Sequence, residues 1–223
     1  MPPTGAARPA WPRFADVIGQ REAIWRIQAA AAAGRLHHAL LLDGPAGCGK
    51  TSIAIALAAA LFCRNRPAAP APPPPVRSGA ADPIAWPLEA CGSCASCRKM
   101  PAHPDLSLLE VRSDKARISI EQAREATAGI GFRPHEAAWR AIVVREADRL
   151  SEPAANALLK SIEEPREGNI FVLATARPAY VQPTIRSRCF RVPLRALDPA
   201  TVRRLLAERR PDAPPEALDL AAG

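Results

Sequence analysis

The fold is decided by residues 38–51, HALLLDGPAGCGKT. An uninterrupted apolar run, the mark of a strand buried on both faces, passes directly into Gly44-Pro45-Ala46-Gly47-Cys48-Gly49-Lys50-Thr51. That segment fits G-x-x-x-x-G-K-[ST] at every fixed position. Glycines let successive backbone N–H groups turn inward around phosphate oxygens, and a helix opening at Lys50 aims its positive end at them. On this chemistry Lys50 reaches the β- and γ-phosphates of a nucleotide, and the Thr51 hydroxyl coordinates magnesium. A glycine-rich turn with a surface lysine shares the same letters. Here the segment stands between a predicted strand and a predicted apolar helix, residues 53–62 (IAIALAAALF), so Gly44 to Ser52 is the candidate nucleotide-binding loop.

Working outward, residues 19–33 have helical spacing and stop at Gly34. Four further apolar runs read as strands: LSLLEV centred on 107–111, AIVVRE at 141–146, NIFVLATA at 169–176 and CFRVPL at 189–194. Between them, Ser119-Ile-Glu-Gln122 has capping-box spacing. Ser151 caps a helix that carries Ala155, Leu158, Leu159 and Ile162 on one face and stops at Pro165. Asp198-Pro199 opens another helix, and a further one is expected near Pro215. Strands alternating with helices predict an α/β fold with a mostly parallel sheet flanked by helices. No internal repeat is visible.

Bulk composition bounds the rest. The 223 residues carry a net charge of +8 and 25 prolines, many of the latter in RPAAPAPPPPVRSGAADP (66–83), which reads as irregular. The charge suits an acidic partner or nucleic acid, yet the basic residues are scattered and no aromatic stacking set accompanies them. No apolar run is long enough to span a bilayer and no secretory signal is visible. The expectation is a cytoplasmic chain with reduced thiols.

Those thiols have metal spacing. CGSCASC sets Cys91, Cys94 and Cys97 at x2 intervals, so that a tight turn brings three thiolates to one ion. A closed structural zinc site takes four ligands. Cys63, at the end of the predicted phosphate-loop helix, is the best fourth, and His103 is its rival.

Several segments together resemble the AAA+ ATPases of the bacterial clamp loader: ADVIGQ (15–20), RLHHALLLDGPAGCGKTS (35–52), the cysteine knuckle after the loop helix, ANALLKSIEEP (155–165), FVLATARP (171–178) and TIRSRC (184–189). Within that family the sequence is most similar to the delta-prime branch, with the tau/gamma motor subunit as the sister possibility. The resemblance implies an AAA+ core over residues 1–196 with an inserted zinc knuckle at 63–97. The start of a helical lid would follow at 197–223. It implies ATP with magnesium and structural zinc as cofactors. It also implies tau/gamma and delta subunits, the sliding clamp and, through the complex, primed DNA as partners. Glu146 matches the catalytic glutamate, Thr175 the sensor of the γ-phosphate, and Arg188 an arginine finger that acts on a neighbour's ATP. Val17 to Gln20 are expected near the adenine, and Glu163-Glu164 reads as a surface helix end.

Two departures qualify the expectation. Where the family places an aspartate to support magnesium, this chain has Arg145. At ~5 Å and an effective dielectric of about 20, that guanidinium against a divalent ion is worth roughly 6 kcal/mol of repulsion before screening. Arg145 is expected to contact a phosphate, or to turn aside onto Glu146 or Asp148, and hydrolysis at this chain's own loop is expected to be weak or absent. Family members also continue through a full lid and a collar domain, so a chain ending at Gly223 is expected to carry only the first part of the lid.

Overall fold

The computed structural model describes residues 11–66 and 88–209. The proline-rich run, apart from Arg66, and the helix expected near Pro215 lie outside the described residues. Five strands, β1 (Ala39–Asp43), β2 (Leu106–Leu109), β3 (Arg140–Val144), β4 (Asn169–Thr175) and β5 (Phe190–Pro193), form one parallel sheet in the order β2-β3-β4-β1-β5. Between and around them lie α1 (Arg21–Ala32), α2 (Lys50–Phe62), α3 (Ala95–Lys99), α4 (Ile120–Thr127), α5 (Glu152–Glu163), α6 (Pro183–Arg186) and α7 (Pro199–Arg209).

The central strands β1, β3 and β4 lack a polar alternation because both faces are covered there, whereas the edge strands β2 and β5 leave Leu108 and Phe190 exposed. Period-two geometry still sorts their side chains. Leu40, Leu42, Val143 and Val172 pack with Ile24 and Ile27 of α1 and Ile53 and Leu57 of α2. Leu41, Ile142, Val144, Phe171 and Leu173 pack on the opposite face with Ala123 of α4 and Leu158 and Ile162 of α5. Helix α2 is buried over nearly its whole surface. This accounts for its almost purely apolar sequence, since a helix hydrophobic all round must be covered all round. The sheet takes one side; Trp11, Phe14 and the cysteine knuckle share the same core. Trp11 Nε1 donates to Cys97 O at 3.0 Å, tying the lead segment to the knuckle.

Local signals set the helix ends. Gln122 N donates to Ser119 Oγ at 3.4 Å and Ser119 N to Gln122 Oε1 at 3.1 Å, the expected capping box. Ala154 N donates to Ser151 Oγ, and Thr201 N to Asp198 Oδ1, which caps α5 and α7 in turn. The first helix starts at Arg21 rather than 19 because Gly19 and Gln20 both have left-handed φ, 69° and 57°. Among the described residues no helix is long and apolar enough to cross a membrane.

Candidate functional site

In a parallel α/β sheet the carboxyl ends of the strands meet at one edge, and ligands bind there. At this edge β1 runs into Gly44, β3 into Arg145 and Glu146, and β4 ends on Thr175. Gly44 N donates to Thr175 O at 3.2 Å, so the loop leaves the sheet against the end of β4. A side chain at Gly44 is excluded: its Cβ would lie 2.7 Å from Leu194 O. Gly47 and Gly49 take φ of 76° and 98°, a region that favours glycine.

The loop's donor set fits an anion. Gly49 is the N-cap of α2 and offers no side-chain cap, so the first-turn N–H groups of a 13-residue helix are left for an external acceptor. Lys50 folds back into the loop, its Nζ donating to Gly44 O at 2.6 Å and Pro45 O at 2.5 Å. The ADVIGQ segment abuts the same loop. The Gln20 amide donates to Cys48 O at 3.2 Å and Arg195 O at 2.6 Å, and a Cβ on Gly49 would lie 3.7 Å from Val17 Cγ1.

The charged residues at this edge are arranged differently from the sequence expectation. Arg145 contacts neither Glu146 nor Asp148; its Nη1 lies 2.5 Å from Glu110 Oε2. The register explains the partner. Leu109 sits opposite Val144 in the β2–β3 ladder, so the next residues, Glu110 and Arg145, leave adjacent strands side by side. Glu146 pairs with Arg149 at 3.4 Å. Thr175, fully buried, donates its hydroxyl to Asp148 Oδ1 at 2.7 Å. Asp148 Oδ2 also accepts from Arg177 Nε and Nη2 at 2.9 and 2.8 Å. Burial pushes the Asp148 carboxyl up, but the hydrogen bonds from Thr175 and Arg177 outweigh it and hold the group below the usual carboxylate range. Asp43, the last residue of β1, pairs with Arg191 of β5.

Arg188 stands apart from the loop. Strand β5 pairs Phe190 with Leu40 and Pro193 with Asp43, so Arg188 precedes the amino end of β5, at the sheet edge opposite Gly44. It is 42% exposed there and its Nη2 contacts Glu163 Oε1 at 2.7 Å.

The second site is the knuckle. The sulfurs of Cys63, Cys91, Cys94 and Cys97 all lie within 4.8 Å of one another. Four thiolates around zinc at about 2.3 Å are separated by roughly 3.8 Å, so the cluster fits that ion after a small contraction; Cys91 and Cys97 Sγ are already 3.9 Å apart. Backbone N–H groups of Cys91 and Cys94 donate to the sulfurs of Cys63 and Cys91, each at 3.3 Å. A hydrogen bond from Cys97 draws the Cys63 thiol down to about 5 and pushes Cys97 up in turn, as when two thiols share one proton. His103, the rival ligand, lies outside the cluster: its ring packs on Phe62 at 4.6 Å and its Nδ1 accepts from Asp105 N.

Asp105, Glu110 and Arg177 were not singled out by sequence, and Asp148, expected only as an alternative partner of Arg145, instead holds Thr175 and Arg177. Asp105 is buried and accepts backbone N–H bonds from His135, Glu136 and Ala137 at 2.5, 2.8 and 2.9 Å, holding the segment before β3 against the knuckle region. Lys99 of α3 reaches the same segment through Glu136.

A family model described as "DNA polymerase III, delta subunit" matches residues 19–74 and 81–198. A DNA polymerase III subunit gamma/tau from Mycobacterium tuberculosis is 38% identical over 201 residues, covering 90% of this chain and 31% of that one. A DNA polymerase III subunit delta' from Pseudomonas aeruginosa is 32% identical over 210 residues, covering 92% of this chain and 57% of that one. This chain therefore spans under a third of the gamma/tau relative and little over half of the delta' relative. In fold it resembles a gamma subunit-related protein of Thermotoga maritima, with TM-score 0.53 and 22% identity over 91% of this chain and 55% of that one. It also resembles the RuvB branch migration motor of the same organism, with TM-score 0.51 and 16% identity over 94% of this chain and 58% of that one.

Proposed function

The chain belongs to the DNA polymerase III delta-subunit family of AAA+ clamp-loader subunits, and on that premise we propose that it is a cytoplasmic subunit of the delta-prime type, supplying an arginine finger while its own loop hydrolyses ATP weakly or not at all. The observation that carries this reading is Arg145 at the carboxyl end of β3, paired with Glu110 at 2.5 Å. A magnesium-supporting carboxylate belongs at that position in an active motor, and a cation there repels the ion.

Gly44 to Ser52 would hold the phosphates of ATP, with Lys50 facing them and Thr51 taking magnesium. ATP supplies a triphosphate whose γ-group the finger of a neighbouring subunit can act on. Glu146, tied to Arg149, would lack the magnesium setting in which it activates water. Thr175, held by Asp148, reports on the loop through its backbone contact with Gly44. Arg188, at the opposite sheet edge, is out of reach of its own loop by topology and available to a neighbour's. Cys63, Cys91, Cys94 and Cys97 would hold a structural zinc ion. Residues 1–196 would form the AAA+ domain, with α7 opening the lid. Partners would be the tau/gamma and delta subunits, the sliding clamp and primed DNA through the complex.

The second reading, a motor subunit of the tau/gamma type, is favoured by the 38% identity to a gamma/tau relative and by an intact loop. Arg145→Asp separates the two. In the delta-prime reading the substitution makes ATP binding magnesium-dependent, strengthening it by about tenfold in magnesium, or 1.4 kcal/mol, while the parent chain shows no such response. An equal magnesium response in both proteins would favour the motor reading.

A further inference from the structure

We infer that Glu163 is the positioning residue for Arg188, an inference that rests on the trans-acting role proposed above. Glu163 is the last residue of α5 and is followed by Glu164. Two carboxylates at a helix carboxyl end oppose the macrodipole, which favours cations there. A local rule is broken, and broken rules of this kind concentrate at functional sites. The negative helix end and the Glu163 carboxylate together make a seat for a cation, and Arg188 occupies it. Its Nη2 contacts Glu163 Oε1 at 2.7 Å, and its Nη1 donates to Thr184 O at 3.0 Å.

The spacing is set by packing rather than by the ion pair. Ile185 of α6 is fully buried in the same core as Leu158 and Ile162 of α5. Arg188 N donates to Ile185 O at 3.0 Å. The backbones carrying the two charges are therefore fixed relative to each other before the side chains meet. A guanidinium has five N–H donors. Glu163 engages Nη2, while Thr184 O and, at 3.4 Å, Ser187 Oγ accept from Nη1, which leaves Nε and the second Nη2 hydrogen for an anion. The contact leaves Arg188 42% and Glu163 38% exposed, so it tethers the arginine in one pose without burying it. A finger that is already oriented loses less conformational freedom when it meets a phosphate.

The test uses Glu163→Gln, which keeps size and one acceptor oxygen but removes the charge, in the full chain assembled with neighbouring loader subunits. The expected result is about a two- to fivefold fall in kcat at the site served by Arg188, the range of one exposed ion pair, with KM for ATP unchanged because Glu163 does not touch ATP. Glu163→Asp, which keeps the charge, recovers part of the loss. In an Arg188→Ala background Glu163→Gln has no further effect, since the two act as one unit. Unchanged kcat in Glu163→Gln, or the same fall in the Arg188→Ala background, would overturn the positioning role while leaving the finger intact. Turnover indifferent to Arg188→Ala would overturn the finger itself and the positioning role with it.

Discussion

On the proposed finger role, Arg188→Ala is expected to leave this chain folded and to silence ATP turnover at the one interface that Arg188 would serve in an assembled loader. The side chain is 42% exposed and its ion pair with Glu163 is exposed as well, so its removal costs the fold about 0.2–1 kcal/mol. The functional loss is far larger. An arginine that stabilises charge on a transferring phosphoryl group is worth about 10³–10⁵ in rate in a GTPase-activating pair, which sets the scale for the neighbour's site. Loops served by other fingers continue, so total turnover falls by the share of one site. Arg188→Lys recovers little, because a single ammonium does not reproduce the planar fork of a guanidinium. Single-turnover hydrolysis by reassembled loader reads both effects, with a melting curve as the control on folding. Full turnover with Arg188→Ala would remove the finger role.

Removing metal from the knuckle has the largest expected effect on stability. The purified chain is expected to carry about one equivalent of zinc, lost on Cys94→Ser. Structural zinc binds zinc-finger peptides with about 10–16 kcal/mol of apparent free energy, part of which is offset where the unfolded chain also binds the ion. Even about 4 kcal/mol lowers Tm by roughly 8–16 °C in a domain of this size. The knuckle transmits the loss inward, because Cys63 and Cys97 are buried in the α2 core and Trp11 is held by Cys97 O. Acid acts in the same direction. Protons compete with the ion for the thiolates, so zinc affinity and the stability it supplies fall as pH is lowered. Metal analysis and melting curves with and without chelator check this; metal-free protein with an unchanged Tm would contradict it.

What the sequence made legible follows from how each feature is encoded. Strands buried on both faces announce themselves as apolar runs, and the phosphate loop carries its geometry in its glycines, so the sheet and residues 44–51 could be read directly. The capping of α4, α5 and α7 is equally local. Features that depend on alignment between distant segments were not legible. Arg145 meets Glu110 because β2 and β3 are in a particular register, and no single segment contains that information. Asp148, Thr175 and Arg177 converge only when the turn after β3 packs beside the end of β4. Sequence favoured Cys63 over His103 as the fourth ligand, although Cys63 lies 28 positions before Cys91 and only the fold brings their sulfurs together. Burial of His103 against Phe62 leaves Cys63 in the cluster. The placement of Arg188 at the edge opposite its own loop likewise needs the β1–β5 register.

The central claim is that this chain's own loop does not run the reaction it helps a neighbour perform. Equilibrium binding of ATP to the purified chain, with and without magnesium, followed by hydrolysis in the same samples, tests it most directly. The account predicts binding that ignores magnesium and no turnover, because Arg145 occupies the place of the carboxylate that would support the ion. Magnesium-dependent turnover by the isolated chain would contradict it and make this a motor subunit.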